Sequence, residues 1–128
     1  ETYEIAARMY EEAVSLDPNF ALAYARLSEV HSQMYWFYFD RTAERLARAR
    51  EAVQAALRID PDLPQAHSAL AAYYYYGSRD YDRALEHLRI AQAAAPNNGP
   101  ILSLLADIYR RQGRFERALE NQLKAIEL

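Results

Sequence analysis

The sequence contains no cysteine, three glycines, five prolines and a single tryptophan in 128 residues. Without cysteine there is no disulfide framework and no thiolate chemistry. That absence suits cytoplasm and periplasm alike, and a cytoplasmic location is the expectation. Few glycines and prolines leave few natural breaks, while alanine, leucine, glutamate and arginine are abundant, a balance that favours helix throughout. No apolar run approaches a membrane span and no signal-peptide pattern opens the chain. Basic residues do not predominate: the formal charge is −3 and the pI near 5.6, so neither nucleic acid nor an anionic membrane is an expected partner. The hydrophobic share of 52% against 26% charged excludes disorder by composition, and the length suffices for one domain with its own core.

Catalytic patterns are missing too. There is no glycine-rich phosphate loop and no GxSxG turn. The three histidines, His31, His67 and His87, form neither H-x3-H nor HExxH, so no metal and no cofactor is expected. The acidic residues are spread along helix faces as solvated surface, and the segment is read as non-enzymatic.

The residues that remain form a repeat. Pro64–Pro96 reads as one helix–turn–helix unit. Its first half is His67-x2-Leu70-Ala71-x2-Tyr74 and its second Ala84-x3-Leu88-x2-Ala91-x4-Pro96, with Gly77-Ser78-Arg79-Asp80 as the break between them. The first-half spacing recurs at Tyr24-x2-Leu27-Ser28-x2-His31 and Leu102-x2-Leu105-Ala106-x2-Tyr109. The second-half spacing recurs at Ala6-x3-Tyr10-x2-Ala13-x4-Pro18, Ala49-x3-Val53-x2-Ala56-x4-Pro61 and Ala118-x3-Gln122-x2-Ala125. Thr42 is the expected N-cap of the helix that starts at Ala43, with Glu44 in its first turn. Ala71, Ala84 and Ala91 are expected at tight helix contacts.

These alanines, aromatics and prolines in phase resemble the tetratricopeptide repeat (TPR) family, whose unit of about 34 residues carries W-x2-L-G-x2-Y…A-x3-F…P. The tryptophan slot holds Tyr24, His67 or Leu102 and the glycine slot Ser28, Ala71 or Ala106, conservative exchanges that leave the fold expectation intact. The resemblance implies an all-α solenoid of stacked antiparallel helix pairs, about seven helices, in a single domain over 1–128. Within it, 1–20 is the second helix of a truncated repeat, followed by repeats 21–63, 64–98 and 99–128. The prolines at 18, 61 and 96 stand 43 and 35 residues apart, which places an aromatic insert at 34–42. The insert is expected to lengthen the first helix of its repeat by one to two turns, with Met34, Tyr35 and Tyr38 in phase with Leu27 and His31. Its aromatics are expected to lean on Tyr73–Tyr76. A long second repeat of this kind also looks like TPR segments of larger bacterial signalling proteins.

In this family the first helix of each pair lines a concave surface that takes up peptides or extended segments. Carried onto this sequence by helical phase, the lining is Ala25, Glu29, Ser32 and Gln33, then Gln65, Ser68, Ala72, Tyr75 and Tyr76, then Ser103, Asp107, Arg110 and Arg111. The candidate groove residues are Glu29, Gln33, Gln65, Ser68, Tyr75, Tyr76, Asp107, Arg110 and Arg111. They grade from acidic through aromatic to basic. Tyr74 is assigned to the core. Family members that clamp a C-terminal carboxylate use lysine and asparagine. Ala25, Glu29, Ser68 and Ala72 stand in those places, so that clamp is not expected. The implied function is a protein-interaction module with a protein or peptide partner. The rivals are a self-assembling repeat segment, joined through uncapped terminal helices with Ile5, Met9, Leu123, Ile126 and Leu128 at the ends, and the regulatory part of a larger enzyme.

Overall fold

A computed structural model describes residues 2–37 and 39–127; the expectations for Tyr38 and Leu128 lie outside them. The described residues form seven α-helices: α1 (Thr2–Leu16), α2 (Ala21–Trp36), α3 (Ala43–Ile59), α4 (Pro64–Ser78), α5 (Tyr81–Ala94), α6 (Gly99–Arg111) and α7 (Phe115–Glu127). There is no strand among them. α2 pairs with α3, α4 with α5 and α6 with α7, and each pair stacks on the next. The fold is an all-α solenoid of antiparallel helix pairs.

Local chemistry sets the boundaries. Thr42, Asp80 and Asn98 each accept a hydrogen bond from the backbone N–H three residues on, at 3.1, 3.2 and 3.1 Å, satisfying one of the free donors at a helix start. Proline stands in the first turn of α4 and α6, where its missing N–H costs nothing. After α6 the chain turns at Gly113, with φ +78°. Gly77 does not break α4, which runs on through Ser78 and ends at Arg79 in the left-handed conformation, φ 54°. A Cβ at position 77 would stand 2.8 Å from Leu46 Cδ1, so the glycine lets α3 approach α4 closely.

The insert behaves differently from expectation. α2 has 16 residues against 15 in α4, so it is not extended by a turn. The extra length goes into the connection 37–42 and into α3, which has 17 residues where α5 has 14. α2 stops because Phe39 N–H and Asp40 N–H both bond back to Met34 C=O, at 3.1 and 3.2 Å. Asp40 then pairs with Arg45 at 3.0 Å, tying the connection to α3. The aromatics also divide. Trp36 does lean on Tyr75 and Tyr76, with ring centroids 5.4 and 5.3 Å apart. Phe37 and Phe39 pack backwards on Tyr3 of α1, at 6.0 and 5.4 Å.

The core is built largely on methyl groups. Ala25, Ala49, Ala56, Ala66, Ala69, Ala71, Ala84 and Ala91 are all fully buried. Ser28 also lies in this layer and donates to Ala49 C=O at 2.7 Å. Towards the C-terminus, the larger Leu85, Leu88, Ile101, Leu105 and Ile108 join α5 and α6 in one buried cluster. His31 is buried and neutral. Its Nδ1 accepts from Arg45 at 2.9 Å, and burial, together with Arg45, holds its pKa down at about 4.

Ala84 is fully buried within the C-terminal part of the core. Ala84→Leu should therefore lower stability by about 1–3 kcal/mol through overpacking. Thermal or chemical unfolding checks this. A variant as stable as the parent would mean that the α4–α5 contact is loose.

Candidate functional site

α2, α4 and α6 line the concave side, and their spacing is uneven. α2 packs along α4, whereas α4 and α6 barely touch. A cleft of about 150 Å³ opens there, lined by Glu29 and Gln33 of α2, Ser68, Ala72 and Tyr76 of α4, and Pro100, Ser103, Leu104 and Asp107 of α6. Five of the nine candidate residues, Glu29, Gln33, Ser68, Tyr76 and Asp107, therefore converge on one feature.

The other four do not join them. Gln65 sits half-buried at the start of α4. Tyr75 is 2% exposed, because it lies four residues beyond Ala71 on the face that meets the core. Its ring packs against Trp36 and Tyr81, and its hydroxyl accepts from Arg111 Nε at 3.2 Å. Tyr74, assigned to the core, is only half-buried and stacks on His87, centroids 5.9 Å apart. The true core face is thus rotated by one residue. Arg110 and Arg111, consecutive on a helix, diverge by about 100°. Arg110 turns to Asp107 at 3.6 Å and to the pocket between α6 and α7. Arg111 turns to Trp36. Ala25 and Ser32 are buried and line no groove. The expected gradation from acid to base is not what forms: both carboxylates face one cleft.

The electrostatics of that cleft follow. Burial raises the Tyr76 phenol above its ordinary value, and the charges of Asp107 and Glu29 push the same way. Glu29 itself is raised from 4.5 to about 7 by burial, opposed by Arg26. The Arg26–Glu29 contact is loose, at 3.8 Å, and the Glu29 side chain keeps 24% exposure. Arg110 is 58% exposed where it meets Asp107. Exposed pairs of this kind contribute about 0–1 kcal/mol, so either arginine is readily displaced by another cation. The cleft can therefore receive a positive group beside a neutral hydrogen-bonding phenol.

A second pocket, missed from sequence, lies at the end of the same surface. It measures about 330 Å³ and is lined by Trp36, Phe37, Arg41, Arg79 and Arg111. Trp36 and Arg111 end their helices and Arg79 caps α4. Their common position at the ends of the first helices of the pairs is the signal that would have found them. Among the described residues no group of three or more His, Cys, Asp or Glu is arranged to hold a metal ion. No described helix is long and apolar enough to cross a membrane.

The comparisons agree with this architecture. A family profile described as "Tetratricopeptide repeat" matches residues 75–120. The solved structure of TTC0263, a thermophilic TPR protein of Thermus thermophilus, is 26% identical with a TM-score of 0.77, over 94% of this chain and 62% of that one. The chain thus spans less than two thirds of that protein's length. MamA in its RS-1 ArsTM double mutant is 18% identical with a TM-score of 0.64, over 98% of this chain and 65% of that one. Another MamA crystal structure is 18% identical with a TM-score of 0.56, over 98% and 87%. At that identity the MamA structures speak to the fold alone. No curated protein matches the chain.

The raised Glu29 pKa makes a pH prediction. An acid whose folded pKa lies above its unfolded value is a cost that is absent below pH 4.5 and fully present above about pH 7. Glu29→Gln should therefore stabilise the fold at pH 8, by about 1–2 kcal/mol after allowing for the solvent that reaches the group. The gain should vanish by pH 4. Denaturant melts at the two pH values check this, and an equal effect at both would contradict it.

Proposed function

We propose that this chain, which shares the tetratricopeptide-repeat fold and matches that family's profile over residues 75–120, is a non-catalytic interaction module whose concave cleft takes an extended segment of a partner protein. Tetratricopeptide repeats generally form an interaction fold, and helix pairs stacked with a constant rotation present a concave surface to extended chains. The observation that carries the reading is the gap between α4 and α6, with Glu29 and Asp107 at its walls and Tyr76 within it. Two carboxylates and a set of neutral donors and acceptors (Gln33, Ser68, Ser103) suit a segment bearing lysine or arginine. The cation replaces the loose partners Arg26 and Arg110, and the polar groups bond the extended backbone. A bound cation favours ionised Glu29, so affinity should rise as pH passes upward through about 7.

Titration of a library of extended peptides, read by calorimetry, tests this. Basic peptides should bind most tightly, and Glu29→Gln with Asp107→Asn should weaken them at least tenfold. Salt should weaken binding as well, because the cleft is open to solvent. Binding indifferent to both changes would overturn the cleft reading.

A second reading rests on a different observation. Phe115, Leu119, Leu123 and Ile126 of α7 are exposed, as are Ile5 and Met9 of α1. An apolar helix face left open in this way can seat another helix, so these ends are an assembly surface in the rival proposal. Sedimentation across a concentration range distinguishes the two. Association that Leu119→Glu with Ile126→Glu abolishes supports assembly, and a monomer at all concentrations removes it.

A further inference from the structure

The pocket beside Trp36 gathers positive charge in a chain that has 15 basic against 18 acidic residues. Arg79 and Arg111 each place a guanidinium over the Trp36 ring, 5.4 Å from its centroid, and Arg41 lies over Tyr35 at 4.9 Å. Among the described residues no carboxylate lines the pocket. Neither Arg79 nor Arg111 forms an ion pair with a described acidic residue. Asp107, whose charge reaches Arg111, is engaged by Arg110 at 3.6 Å. Arg111 uses its Nε on the Tyr75 hydroxyl, which leaves its two terminal nitrogens for a ligand.

The arrangement is held from beneath. Trp36 is braced by Tyr75 and Tyr76, so the surface under the arginines is fixed. Arg79 occupies a left-handed backbone position, φ 54°, at the C-cap of α4. Glycine is the residue such a cap favours. An arginine there is disfavoured by its backbone, yet the position aims its side chain over Trp36.

The simplest role for these arginines is to neutralise the ends of α2, α4 and α6, which meet here. Each helix C-terminus carries roughly half a negative charge, less than the full charge that Arg79 and Arg111 bring to the ends of α4 and α6. A phosphomonoester carries about −1.5 to −2 with three acceptor oxygens, enough for both guanidinium forks to share. A carboxylate has a single charge and two oxygens, and one arginine fork satisfies it. We propose that Trp36, Arg79 and Arg111, with Arg41 at the rim, form a binding pocket for a phosphomonoester group. Trp36 and Phe37 supply flat walls for whatever apolar part carries the phosphate. The site is separate from the acidic cleft and does not depend on a peptide lying there.

Trp36 is the only tryptophan, so its fluorescence reports on the pocket directly. The full chain is titrated with phenyl phosphate, and with phenylacetate as the carboxylate control, at constant ionic strength. Phenyl phosphate should give a saturable change, with at least fivefold weaker binding of phenylacetate. Arg111→Gln and Arg79→Gly should each weaken phenyl phosphate about tenfold. Arg79→Gly suits the left-handed backbone, so its melting temperature should not fall and the loss cannot be ascribed to unfolding. Glu29→Gln with Asp107→Asn should bind phenyl phosphate at least as tightly as the parent does, which keeps this test apart from that of the cleft. A linear, unsaturable response, equal binding of phenylacetate, or indifference to both arginine changes would overturn the proposal and leave the arginines as neutralisers of the helix ends.

Discussion

How closely two helices can approach governs this array, and alanine sets that distance. Where α2 packs on α3 and α4, Ala25, Ala49, Ala56, Ala66 and Ala69 are buried with no exposed surface left, beside Val53. Interaxial distance follows the size of the side chains at the contact, so a methyl-lined crossing brings backbones near enough for Ser28 to reach the Ala49 carbonyl. Such a crossing cannot slide without opening a void or meeting a larger neighbour. Between α5 and α6 the contact is made by Leu85, Leu88, Ile101, Leu105 and Ile108 instead. That change from small to large side chains accompanies the parting of α4 from α6.

Much of this was legible in the sequence, for physical reasons. Alanine, proline and capping residues act locally, so the breaks around Pro18, Pro61 and Pro96 and the cap at Thr42 all appear where the pattern put them. Phase arguments were weaker because an error of one residue rotates a side chain by about 100°. Tyr75 is buried within the core, while Tyr74 packs only against its edge. The insert was misplaced because helix length after His31 is not decided by phase. Phe39 and Asp40 bond back to Met34, and the Asp40–Arg45 pair holds the chain there. These contacts are local in sequence, but they depend on turn and side-chain chemistry that helical phase does not report. The arginine pocket was missed because Trp36, Arg79 and Arg111 belong to three different repeats, and only their shared place at the ends of the first helices points to it.

The concave side consequently carries two neighbouring fields of opposite sign. Glu29 and Asp107 make one end acidic, while Arg41, Arg79 and Arg111 make the other basic. Tyr76 and Trp36, in contact at 5.3 Å, stand between them. In the proposed function, opposed charges so placed would orient an extended chain and reject its reversed register, a role electrostatics fills better than it supplies raw affinity. The aromatic boundary supplies rigid contact surface at low entropy cost.

The central claim is that the concave face, formed by α2, α4 and α6, is where a partner segment lies. Backbone amide NMR of the chain with a bound partner peptide tests it most directly, because every helix reports at once. The account predicts that the largest shift changes fall on residues around Glu29, Gln33, Ser68, Tyr76, Ser103 and Asp107. Changes confined to the open faces of α1 and α7, with the concave helices unmoved, would contradict it.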